Sequence, residues 1–117
     1  MSTHNWHEFI NQTDARTNAL REALPDVTKA FGRLAGAATA QGTLDPKTKE
    51  LIALGIGIAA RCDGCIAYHA RACARYGATR EEIIETIGMA MYMGGGPSMI
   101  YGAEALSAFD ELAATAS

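Results

Sequence analysis

The sequence lacks an excess of positive charge, and this absence excludes several classes of partner. Its 117 residues carry 10 Lys and Arg against 13 Asp and Glu, which gives a formal net charge of −3. The basic residues are spread thinly along the chain rather than gathered into a patch. Because nucleic acids and anionic membrane surfaces are bound largely through clustered Lys and Arg, we expect neither to be a partner.

The sequence also lacks a long apolar run. The longest, LIALGIGIAA at residues 51–60, is about half the length that would cross a bilayer. The first residues, MSTHNWHEFINQTD, have neither the basic lead nor the apolar stretch of a signal peptide. We therefore expect a cytoplasmic protein. In that reducing compartment structural disulfides are rare, so a close cysteine pair indicates metal binding or redox catalysis.

Alternating apolar and polar residues are absent over any stretch long enough to predict a strand. Apolar residues instead recur at helical spacing, and neither an internal repeat nor a low-complexity linker interrupts them. Gly77 fits a left-handed helix end, and Thr79 with Glu82 forms a capping box for the next helix. We predict one all-α domain over residues 1–117, with helices at about 6–24, 25–38, 46–60, 62–76, 80–93 and 97–113.

The chemistry-bearing residues lie in RCDGCIAYHARACARYG, residues 61–77. On a helix, residues three or four apart share a face, so a single stripe contains Cys62, Cys65, His69 and Cys73. The cysteine pair falls in the first turn, where free N–H groups and the macrodipole favour a thiolate. His69 lies one turn further on and could exchange protons with Cys65, directly or through water.

Glu50 lies in the first turn of the preceding helix, where an inward-facing carboxylate needs a partner. In one straight helix Glu50 and His69 would be about 28 Å apart. A helical hairpin that turns near Ala60–Arg61 would instead bring Glu50 opposite His69. The carboxylate would then orient the imidazole and raise its basicity.

Other interpretations of these residues stay open at this point. The two cysteines could be small buried residues, or a zinc ion could be held by Cys62, Cys65, His69 and Glu50. Zinc clips usually staple loops, however, whereas this pair opens a helix. We interpret Cys73 as a free core thiol that behaves as a small hydrophobe.

Taken together, these residues resemble a known family. Glu50, eleven intervening residues, CDGC at 62–65, three more residues and His69 form an E-x11-C-x-x-C-x3-H pattern. This pattern is similar to the alkylhydroperoxidase AhpD-like branch of the carboxymuconolactone decarboxylase superfamily, and the similarity extends over about 46–106. The resemblance implies an all-helical subunit that assembles as a homo-trimer or homo-hexamer. It also implies thiol-dependent reduction of hydroperoxides or disulfides.

By position, the resemblance implies roles for four residues. Cys65 corresponds to the peroxidatic cysteine and Cys62 to the resolving one, while Glu50 and His69 correspond to the proton-relay pair. The Cys65 thiolate would attack a small hydroperoxide to give a sulfenic acid, and Cys62 would condense with it to a disulfide. An unidentified thiol reductant would then reopen that disulfide. No cofactor and no metal are expected.

Two other classes of function remain as alternatives. A lactone decarboxylase of the same superfamily would use proton transfer, and the cysteine pair speaks against it because that reaction needs no dithiol. A non-catalytic redox-sensing or metal-binding oligomer would use the cysteines without turnover. Small residues on the 46–60 helix, among them Gly55 and Gly57, indicate close helix–helix contact. The apolar content of this helix exceeds what one short chain covers, so we predict a homo-oligomer.

Overall fold

The computed structural model describes residues 5–115, which form six α-helices and no strand. The all-α fold class predicted from the sequence is confirmed, and each helix lies close to its predicted position. The ends of the predicted domain, residues 1–4 and 116–117, lie outside the described residues. The helices are α1 (Trp6–Ala23), α2 (Pro25–Thr39), α3 (Pro46–Ala59), α4 (Asp63–Arg75), α5 (Arg80–Gly94) and α6 (Gly96–Ala113).

Local sequence signals determine where α5 begins. The predicted capping box is present: the Glu82 N–H donates to the Thr79 hydroxyl at 3.1 Å, and the Thr79 N–H donates to the Glu82 carboxylate at 2.9 Å. Gly77 has a φ of 84°, the left-handed conformation predicted for the residue that separates α4 from α5. These contacts satisfy amide groups that a helix end otherwise leaves without partners.

The predicted central helical hairpin is formed by α3 and α4. Between them Arg61 adopts a left-handed backbone, with a φ of 59°, which turns the chain within three residues. The Arg61 N–H donates to the Ile58 carbonyl and the Cys62 N–H to the Gly57 carbonyl, both at 3.0 Å. Because both amides are satisfied at the end of α3, the tight turn holds a non-glycine residue in this uncommon conformation.

The core lies around α4, which packs against α3 on one side and α6 on the other. Leu54 and Ile58 of α3 meet Ile66 of α4, and all three side chains are fully buried. The helix α5 packs against α3 and α6, and α1 lies across α4 and α6. This arrangement holds the two arms of the hairpin rigidly against each other, so the residues on their facing sides are positioned by the core.

The surface carries two apolar features that the core does not cover. One is a stripe on α2 formed by Val27, Phe31, Leu34 and Ala38: α2 has no buried residue, and Phe31 is 68% exposed. A groove of about 480 Å³ runs between α3 and α5, lined largely by apolar side chains such as Ile52, Ile56 and Met93. In the part of the chain that the structure describes, no helix is both long and apolar enough to span a membrane.

Candidate active site

The cysteine pair begins α4, as predicted. Cys62 occupies the N-cap position, where its backbone is extended and its sulfur accepts a hydrogen bond from the Cys65 N–H at 3.1 Å. Sulfur here takes the place of the oxygen that a serine or aspartate cap would supply. Both thiols are free and half-buried. The helix N-terminus therefore acts directly on the sulfur of Cys62.

The Cys65 thiol lies in a different environment from its neighbour. Burial is the largest cause that raises its pKa to about 11, and the hydrogen bond and negative charge of Cys62 add to the effect. The sequence predicted instead that the first turn would favour a thiolate. For Cys65 that prediction is wrong, because burial outweighs the backbone hydrogen bond that lowers the pKa of this thiol.

The hairpin brings Glu50 and His69 together. Glu50 Oε1 lies 2.6 Å from His69 Nδ1, and the side chain of Glu50 is only 9% exposed. An ionised carboxylate can only accept a hydrogen bond, so Nδ1–H of the ring donates to it. This leaves Nε2 as the ring nitrogen that can take up or release a proton toward another group. The side chain of His69 is one third exposed, so the imidazole is in contact with water.

The thiols and the imidazole are not joined directly. Across residues 5–115, neither Cys62 nor Cys65 forms a hydrogen bond with His69, which lies one helical turn after Cys65. Direct proton exchange between Cys65 and His69 is therefore not seen in the structure. Exchange through an intervening water stays a prediction.

The remaining cysteine lies in the core. Cys73 is fully buried, and its pKa is raised to about 12, first by burial and then by the negative charges of Glu50 and Glu82. The interpretation of Cys73 as a core thiol is confirmed by this burial. Among the described residues, no group of three or more His, Cys, Asp or Glu side chains is placed to hold a metal ion. The zinc-site interpretation gains no support from this geometry.

Sequence reasoning did not identify Gly57 as part of the site. The small residues of α3 predicted a close helix contact, and the structure shows that Gly57 makes it against Cys65. Nothing in the local sequence marks Gly57 among the other small residues of α3. Only the fold of the hairpin shows which of them faces the cysteine pair.

Comparison with known proteins agrees with this fold and hairpin. The model of the carboxymuconolactone decarboxylase family matches residues 25–108, which cover α2 to α5 and most of α6. The chain belongs to this family. Glu50, both cysteines of the pair and His69 all lie within the matched residues.

Solved structures of the carboxymuconolactone decarboxylase family share the whole fold. A family protein from Legionella pneumophila, solved in its apo form, is 45% identical and superposes with a TM-score of 0.89, over 92% of this chain and 96% of that one. A family protein from Thermotoga maritima, suggested to be involved in antioxidative response, is 34% identical with a TM-score of 0.79, over 88% of each chain. An uncharacterized protein from Cupriavidus necator is 36% identical over 103 residues, which are 88% of this chain and 91% of that one.

Proposed function

We propose that this protein is a thiol-dependent peroxidase or disulfide reductase that uses Cys65, Cys62, His69 and Glu50. One observation carries the proposal: the buried Glu50 carboxylate lies 2.6 Å from His69, on the hairpin whose turn ends in the cysteine pair. A carboxylate-oriented imidazole one turn from a dithiol is the arrangement that activates a sulfur nucleophile. The suggested antioxidative role of the Thermotoga maritima relative supports the same chemistry.

The raised pKa of Cys65 makes a base necessary. With a pKa of about 11, very little of this thiol is ionised near neutral pH. In the proposed reaction His69 Nε2 removes the thiol proton through a water molecule, and Glu50 stabilises the imidazolium that forms. By removing the proton, the base generates the Cys65 thiolate during the reaction, although the thiol form is favoured in the resting site.

The proposed reaction transfers two electrons from the dithiol to the peroxide. The Cys65 thiolate attacks one oxygen of a hydroperoxide, the O–O bond breaks, and the leaving alkoxide takes a proton from the imidazolium to become an alcohol. The Cys65 sulfenic acid then reacts with the Cys62 thiol, which releases water and forms the Cys62–Cys65 disulfide. A thiol reductant reopens this disulfide by exchange, and a disulfide substrate would react with the same pair through a mixed disulfide.

Free-thiol titration with intact mass spectrometry tests the proposal. One equivalent of an alkyl hydroperoxide should remove two thiols and about two mass units, the signature of one disulfide. The change should be absent in C65S. In C62S it should stop at a gain of about 16 mass units, a sulfenic acid that a dimedone probe traps. The matched control C73S should still lose two thiols. Unreactive thiols in the unaltered protein would contradict the proposal.

A lactone decarboxylase is the second candidate, because the family model that matches carries that activity in its description. Such a reaction would need His69 and Glu50 for proton transfer but no sulfur chemistry. The double variant C62S/C65S separates the two candidates. Decarboxylation of a carboxylated lactone should survive in this variant, whereas peroxide reduction should be lost.

We also propose that the protein acts as a homo-oligomer, either a trimer or a hexamer. The exposed apolar stripe of α2 and the apolar groove between α3 and α5 support it, because exposed apolar surface of this extent is typical of a contact between proteins. A second copy of the chain would cover side chains such as Phe31 and Ile56, which are 68% and 64% exposed.

A further inference from the structure

Gly57 lies where α3 is in close contact with the start of α4. Its carbonyl accepts the Cys62 N–H at 3.0 Å, directly before the first turn of α4. A Cβ placed on Gly57 would lie 3.0 Å from Cys65 Cβ, 3.6 Å from the Cys65 carbonyl carbon and 3.7 Å from the Ile66 nitrogen. Gly57 therefore touches both cysteines, one through its carbonyl and the other through its bare Cα.

The atoms that face Gly57 cannot move aside independently. Cys65 Cβ is attached to the backbone, and the other two atoms belong to the backbone itself, so no change of rotamer relieves the contact. The contact with Cys65 Cβ is tight, so a side chain at Gly57 requires the backbone of the first turn of α4 to shift by a few tenths of an ångström. Gly55, two residues earlier on the same helix, differs: a Cβ there would lie 3.4 Å from the Cγ2 methyl of Thr86, an ordinary contact.

We propose that Gly57 is a positioning residue for the Cys62–Cys65 pair, because its missing side chain seats Cys65 against α3 while its carbonyl holds the amide of Cys62. This inference rests on the proposed function in treating the two cysteines as the reactive pair. It adds a residue from the opposite arm of the hairpin that determines how deeply the attacking sulfur is buried.

The seating of Cys65 has a chemical consequence. Burial is the largest cause of the raised pKa of Cys65, and contact with α3 contributes to that burial. A methyl group at Gly57 would shift the first turn of α4 away from α3, which would open the contact around Cys65 and lengthen the bond from the Cys62 N–H to the Gly57 carbonyl. The Cys65 thiol would then be better hydrated, and its thiolate would form at lower pH.

Comparison of Gly57→Ala with Gly55→Ala tests this inference. Both variants make the same chemical change on the same helix and gain the same helix propensity. Alkylation by iodoacetamide is followed against pH and located by tandem mass spectrometry, because both cysteines fall in one tryptic peptide, residues 62–71. In G57A the Cys65 midpoint should fall by half a unit or more, which raises alkylation at pH 8 by about threefold. In G55A the profile should match that of the unaltered protein.

Identical Cys65 profiles in G57A and in the unaltered protein would overturn the inference. If G57A does not fold, the double variant G57A/C65G should restore the helical circular dichroism, because removal of Cys65 Cβ removes the contact; failure to restore it would also overturn the inference. The alkylation profile needs no turnover. If the proposed peroxidase function is wrong, the thiols of the unaltered protein will not react with peroxide. If only the role of Gly57 is wrong, they will react with peroxide, but G57A will not change the alkylation profile of Cys65.

Discussion

At the scale of single residues, the site combines a buried carboxylate with a thiol that resists ionisation. Glu50 is 7% exposed, a degree of burial that a carboxylate tolerates only with a close partner, and His69 provides that partner. Cys65 is shielded by α3 and by Cys62, so its pKa lies above the ordinary value. The imidazole and its carboxylate are therefore the groups on which the proposed activation of the thiol depends.

The substitution Glu50→Gln should slow disulfide formation by peroxide about tenfold or more, because a neutral amide stabilises an imidazolium far less than a carboxylate does. The rate is measured by stopped-flow with intact mass as the endpoint. Glu85→Gln, which neutralises an exposed carboxylate on α5, is the matched control and should leave the rate unchanged. An E50Q protein that reacts at the unaltered rate would remove the relay from the mechanism.

The pH dependence of Cys65 should change when Cys62 is removed. The thiolate of Cys65 appears only as pH rises through about 11, because burial and the neighbouring thiol both disfavour the charged form. In Cys62→Ala the contribution of the neighbour disappears and that of burial remains, so the midpoint should fall but stay above the ordinary value. Alkylation of Cys65 against pH measures it, with C73A as the control that leaves the midpoint in place. An unchanged midpoint in C62A would attribute the whole shift to burial.

At the scale of helices, the hairpin of α3 and α4 brings residues that are far apart along the chain into contact. The Arg61 turn reverses the chain, so that Glu50, in the second turn of α3, lies beside His69 in the middle of α4. The start of α5 is tied to the same hairpin, since Lys47 Nζ of α3 lies 2.9 Å from the Glu82 carboxylate of the capping box. This ion pair thus holds the start of α5 against α3, the helix that carries Glu50.

Removal of the capping hydroxyl by Thr79→Ala should lower the free energy of unfolding by about 1 kcal/mol, because the Glu82 N–H loses its acceptor. Urea denaturation followed by circular dichroism measures the change. Thr39→Ala removes a hydroxyl that bonds within its own helix, and this control should stay within about 0.5 kcal/mol of the unaltered protein. Loss of two thiols to peroxide should persist in T79A, since α5 carries none of the site residues; its absence would show that the cap also supports the site.

At the scale of the whole molecule, the surface is more apolar than the fold of one chain requires. The 15 residues of α2 include no buried side chain, although helices of this length gain most of their stability from a packed apolar face. The groove between α3 and α5 lies on the face of α3 opposite Glu50, so it does not lead to the candidate site. These apolar surfaces are therefore the ones that the proposed self-association would cover.

Light scattering after size-exclusion chromatography at micromolar concentration should give three or six times the subunit mass of 12.4 kDa. Phe31→Ser should shift the mass toward the single subunit, because it removes the most exposed large side chain of the α2 stripe. Lys29→Ser, on the same helix but outside the stripe, is the control and should leave the assembly unchanged. A single-subunit mass for the unaltered protein would contradict self-association.

The sequence by itself determined the helices, their ends and the reversal between α3 and α4. Helical periodicity, the Thr79–Glu82 capping box and Gly77 act over a few residues, so the local sequence is enough to predict where the helices begin and end. The spacing also predicted Cys62 and Cys65 at the start of α4, whereas the contact of Glu50 with His69 required the α3–α4 hairpin to form. Regular helix geometry converts such spacing into distance.

Only the tertiary structure decided how each sulfur is surrounded. Which small residue of α3 faces Cys65, and which of the two sulfurs accepts the N-terminal amide, depend on how two helices pack, and Gly57 and Cys62 are the answers. Burial is a property of neighbours that are distant along the chain. It outweighed the local effect of the helix N-terminus at Cys65, which is why the acidity of this thiol differed from the prediction.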